Sequence, residues 1–87
     1  MNKILLTLGL LLASASSAIA VDLVNRDNGG YEVRVTANKK TSDYSIDGLT
    51  AITICNSSCQ VEVKGVGVIQ ANQNQTVVIE NRTLRVQ

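Results

Sequence analysis

The chain has 87 residues, 45% of them hydrophobic but only 2% aromatic, with no histidine, tryptophan, phenylalanine or proline and a formal net charge of +1. The absence of histidine removes the commonest general acid or base and the usual activator of a nucleophile. The small, interspersed charge gives no electrostatic reason to bind nucleic acid or an acidic membrane.

Residues 1–20 read as a secretory signal. Met1-Asn2-Lys3 supplies a positive start, Ile4 to Leu12 an apolar run relieved by Thr7 and Gly9, and Ala18-Ile19-Ala20 a small-x-small cleavage pattern. The run falls short of the roughly 20 residues that a membrane span needs. Val21 stands where a bacterial lipoprotein would carry its acylated cysteine. Cleavage after Ala20 is therefore expected to leave a single small β-domain, residues 21–87, in the periplasm or secreted, with no stable membrane insertion. Losing Lys3 brings the net charge of that domain close to zero.

The next segments read as strands. Leu23-Val24-Asn25 is short and mixed, Asp27-Asn28-Gly29-Gly30 favours a tight reversal, and Tyr31 to Thr36 alternates apolar and polar strictly. Together they predict a first hairpin. A polar segment, Ala37 to Ser42, follows, with Lys39-Lys40 as a solvated tip; then come the short strand Tyr44-Ser45-Ile46 and a turn at Asp47-Gly48.

Ala51 to Cys55 and Gln60 to Lys64 flank the only two cysteines, Cys55 and Cys59, and predict a hairpin whose loop is closed by a disulfide. That pairing carries an internal conflict. Cys55 opposite Cys59 would put Ile52 and Ile54 across from Glu62 and Gln60, so a bulge is expected to shift the register. Gly65-Val66-Gly67 predicts a bend before Val68-Ile69-Gln70-Ala71, and Asn72 to Gln75 a polar turn. Thr76 to Glu80, a two-residue connection at Asn81-Arg82 and Thr83 to Val86 complete the chain. The expected fold is all-β: a small antiparallel meander forming a sandwich, roll or open barrel with one disulfide-closed hairpin loop.

Few residues in this pattern could carry chemistry. Asp22, Asp27, Asp43 and Asp47 sit in or beside turns, where backbone chemistry explains them better than paired-carboxylate hydrolysis does. The two glycines at 65 and 67 lack the spacing and the following helix of a phosphate loop. The Cys-x-x-x-Cys spacing reads first as structural, with redox exchange or soft-metal capture as the alternative. Asn56, Asn74 and Asn81 match the glycosylation acceptor pattern and fall in turns. The expectation is thus a non-enzymatic exported protein with no cofactor and no metal, binding a protein, glycan or envelope component. Tyr31 and Tyr44 are its only aromatic anchors, each able instead to serve the core. The alternatives are homo-oligomerisation into a surface or fibre subunit through uncovered sheet edges, and a Cys55/Cys59 redox or metal carrier.

Overall fold

The computed structural model describes residues 20–87, so the expected signal segment lies almost wholly outside the described residues. Eight strands form: β1 (Val21–Asn25), β2 (Tyr31–Ala37), β3 (Lys40–Ile46), β4 (Ala51–Cys55), β5 (Cys59–Val63), β6 (Gly67–Ala71), β7 (Thr76–Glu80) and β8 (Thr83–Val86). They make two four-stranded sheets, ordered β4-β1-β7-β8 and β3-β2-β5-β6. Of the three architectures the sequence allowed, the molecule adopts the sandwich.

Alternation along the strands supplies the interior. Val33 and Val35 of β2 face Leu23, Val77 and Ile79 of the opposite sheet, with Val61, Val63, Ile46 and Ile54 completing one cluster. Each fully buried valine or leucine stabilises the fold by about 1.5–3 kcal/mol relative to exposure. The opposite face of β2, Glu32 and Arg34, meets solvent beside Asp43 on β3 and Glu62 on β5, which is the polar-out pattern of a half-buried sheet.

Three hairpins join neighbours in sequence: β2 to β3, β5 to β6 and β7 to β8. Two turn on pairs of residues with positive φ, Asn38 (53°) with Lys39 (65°) and Asn81 (54°) with Arg82 (61°), the conformation that two-residue hairpins require. The polar segment expected before Tyr44 is this first turn plus the start of β3, which begins at Lys40. Gly65, at φ 83°, takes the third place of a turn closed by the Val66 N–H donating to the Val63 carbonyl at 2.9 Å. Only glycine enters that conformation without steric cost.

The hairpin expected between β1 and β2 does not form. β1 instead lies between β4, which it pairs antiparallel, and β7, which it pairs parallel, with Leu23 opposite both Ile52 and Val77. Residues 26–30 carry the chain from one sheet to the other. The reason is amphipathicity: Val21, Leu23 and Asn25 are all buried, and the central place that buries them lies in the sheet opposite β2.

The Cys55–Cys59 disulfide is present, with Cα atoms 6.6 Å apart, but the segment it closes is not a hairpin. β4 and β5 belong to different sheets, and the disulfide ties the two layers together at the crossover. The conflict in register disappears accordingly. Ile54 and Val61 do not share a face of one ribbon; they approach the core from opposite sides. A register shift does occur, between β1 and β4, where Ile54 is left without an opposite residue between the pairs Val21 with Cys55 and Asp22 with Thr53. Because so short a loop removes little freedom from the unfolded chain, the Cys55→Ser, Cys59→Ser double variant is expected to fold and to lose about 2 kcal/mol in a urea titration. A redox carrier would instead keep its stability and lose activity.

Candidate functional site

The register places four connections at one end of the sandwich: residues 26–30, 47–50, 64–66 and 81–82. Asn25 organises this end. It is 1% exposed, the only buried polar residue among those described. Its Nδ2 donates to the Gly29 carbonyl at 2.8 Å and to the Asp47 carbonyl at 3.1 Å, while its Oδ1 accepts from the Asp27 N–H at 3.0 Å. One side chain thereby holds the β1–β2 and β3–β4 loops against each other.

Asp27 ties in the third connection. Its carboxylate accepts from the Tyr31 hydroxyl at 2.7 Å and from the N–H groups of Asn81 at 2.7 Å and Arg82 at 3.1 Å. The Tyr31 hydroxyl, seconded by those two amides, holds the Asp27 carboxyl below its ordinary value of 3.8 against a smaller opposing push from burial. Tyr31 is correspondingly raised above 10.0, chiefly by the same hydrogen bond. Folded Asp27 binds its proton less readily than in the unfolded chain, so this contribution to stability is fully present above pH 3.8 and is lost as the pH falls through the folded value. The share linked to Tyr31 is present below pH 10.0 and fades only as the pH rises through its folded value. A Tyr31→Phe variant should therefore titrate Asp27 closer to 3.8, seen in its carboxyl NMR shift, and begin acid unfolding at higher pH.

Leu49 projects from the second of these loops. It is 67% exposed and has φ 60°, a left-handed conformation that a leucine seldom adopts. Its N–H donates to the Asp27 carbonyl at 3.0 Å, and the preceding Gly48 lies directly against the Asn28 main chain. Val24, Arg26, Ala51 and Glu80 line a shallow trough beside it.

The two tyrosines are not brought together. Tyr31 belongs to the loop end, half-buried, with its hydroxyl occupied by Asp27. Tyr44 packs on the core from β3, its hydroxyl 3.5 Å from the Ile54 carbonyl. Of the aspartates, Asp27 and Asp47 share the loop end through Asn25, whereas Asp22 accepts from Thr53 at 2.8 Å, and Asp43 accepts from Arg34 at 2.9 Å on the exposed face of β2 and β3, where the guanidinium holds its carboxyl below the ordinary value. That face carries a shallow depression bordered by Glu32, Arg34, Glu62 and Lys64, whose mixed charges favour neither sign of ligand. Asn56, Asn74 and Asn81 all lie in connections, as expected.

Leu49 and Asn25 were not singled out by sequence reasoning. For Leu49 the usable signal was a lone leucine directly after Asp47-Gly48, outside any alternating segment. Asn25 carried no such signal, since asparagine at a strand end reads as turn chemistry. No family model matches the chain, and neither a curated protein nor a solved structure matches it.

Proposed function

We propose that this is an exported, non-enzymatic β-sandwich that binds another protein through its four-loop end, with Leu49 as the anchor that enters an apolar recess of the partner. The observation that carries the reading is the double cost of Leu49: a large apolar side chain left in water, on a backbone conformation worth about 1–2 kcal/mol of strain for a residue with a Cβ. Binding offers a use for both, since a loop main chain held before contact, as the Leu49 N–H is by the Asp27 carbonyl, loses little freedom on docking. A protein partner fits better than a glycan, because glycan platforms stack sugars on exposed aromatic rings and both tyrosines here pack on the core. The disulfide suits an oxidising, exported setting.

The test is Leu49→Gly. It should raise stability by about 1 kcal/mol by relieving the positive φ. It should also weaken partner binding by about 2 kcal/mol, roughly 30-fold in Kd, through loss of a buried leucine. A photoreactive residue at position 49 should crosslink the partner in the native exported fraction. Unchanged binding by the Leu49→Gly protein would overturn the proposal.

A second reading rests on β6. This edge strand, like β4, has no charge and no proline, and its Val68 is 54% exposed, whereas β3 carries Lys40 and Asp43 and β8 carries Arg85. Uncharged edges of this kind are sites of strand addition, including by a second copy. Concentration-dependent growth in size that Val68→Lys abolishes and Leu49→Gly leaves intact would favour self-assembly.

A further inference from the structure

We propose that Asn28 is a site of spontaneous covalent modification, converting through a cyclic imide to aspartate and isoaspartate while the protein is folded. The reaction needs the main-chain nitrogen of the following residue to reach the asparagine side-chain carbonyl. Gly29 has no Cβ to block that approach, and no atom lies within 4 Å of where a Cβ would stand. Asn28 is exposed, so water can reach the imide and ammonia can leave. Gly29 is held only through its carbonyl, by Asn25 Nδ2 at 2.8 Å; among the described residues its N–H has no hydrogen-bond partner.

Asp47-Gly48 is the other Asn or Asp followed by glycine, and Gly48 faces Asn28 directly. There the Asp47 carbonyl accepts from Asn25 at 3.1 Å and from the Thr50 hydroxyl at 2.8 Å, and Gly48 is wedged against the Asn28 main chain. The close approach of Gly48 involves the Asn28 carbonyl as well, so what separates the two candidates is the exposed, open position of Gly29 against the doubly bonded Asp47 carbonyl.

In the step itself the Gly29 nitrogen bonds to Asn28 Cγ, the Cγ–Nδ2 bond breaks, and Nδ2 departs as ammonia with the proton that the Gly29 nitrogen gives up. Water then opens the imide. Breaking the bond from the Gly29 nitrogen to Cγ yields aspartate; breaking the bond to the main-chain carbonyl carbon yields isoaspartate, with the main chain now running through Cβ and Cγ. No oxidant or reductant takes part. Either product places a new negative charge next to Asp27, and isoaspartate adds a methylene to the main chain where it closes on Gly48. Modification therefore loosens the loop end that Asn25 and Asp27 hold.

The experiment is to incubate the folded protein in heavy-oxygen water at mildly alkaline pH and follow each asparagine by peptide mapping. Asn28 should be the first to disappear, gaining heavy oxygen from solvent, with isoaspartate among the products and a falling melting temperature in step. Gly29→Ala is the control: the site has open space and its φ lies outside the left-handed region, so the variant folds and should retain Asn28 over the interval in which the parent loses it. Survival of Asn28 for as long as Asn72 or Asn74, or equal loss in the Gly29→Ala protein, would overturn the proposal.

Discussion

Replacing Asn25 with leucine is expected to remove about 3 kcal/mol of stability despite the closely similar size and the buried position. The substitution leaves the Gly29 and Asp47 carbonyls and the Asp27 N–H without their partner. A buried polar group that loses its hydrogen bond costs about 1–3 kcal/mol, and solvent at the loop end recovers part of that for the three groups together. Domains hold about 0.05–0.15 kcal/mol per residue, so one of this size has roughly 3–10 kcal/mol in total. Urea unfolding should then show a midpoint lowered by roughly a third or more of the parent's value. A loss below about 1 kcal/mol would mean that water replaces the amide, and that the loops do not depend on it.

Gly48→Ala should be comparably damaging for a different reason. A Cβ on Gly48 would fall on the carbonyl oxygen of Asn28, and because that obstacle is main chain and not the end of a flexible side chain, one loop has to move. Overpacking of this kind costs about 1–3 kcal/mol, and here it also pulls Leu49 away from the Asp27 carbonyl that fixes its conformation. Thermal melts should place Gly48→Ala well below the parent, while Gly29→Ala, where the added methyl meets nothing, stays near it. Amide exchange would report the mechanism: the Leu49 N–H should lose protection in the Gly48→Ala protein. Equal melting temperatures for the two variants would refute the tight apposition of the loops.

Much of the local structure was legible before the fold was known. The alternation from Tyr31 to Thr36 predicts which residues of β2 face inward, and Val33 and Val35 do. Asn81-Arg82 reads correctly as a two-residue connection. The cysteine pair reads correctly as a disulfide. What could not be read was partnership. Leu23 has the same character whether its neighbour is β2 or β7, and the assignment of β4 and β5 to one hairpin followed only from their nearness in sequence. Of the candidate site, Tyr31 was named and lies at the loop end, but Leu49 and Asn25 matter through contacts with residues distant in sequence: Asp27 for the first, Asp47 for the second.

By itself, then, the sequence determined the strand class, most strand positions, the turn residues and the absence of histidine chemistry, since period-two patterning, turn propensity and composition are local properties written in neighbouring residues. Only the tertiary structure decided that the disulfide bridges two layers, that β1 runs parallel to β7, and that four loops meet at one end around a buried asparagine. Those features depend on which apolar faces are buried against each other. Several pairings satisfy the same pattern, and burial of apolar faces with pairing of polar groups selects among them.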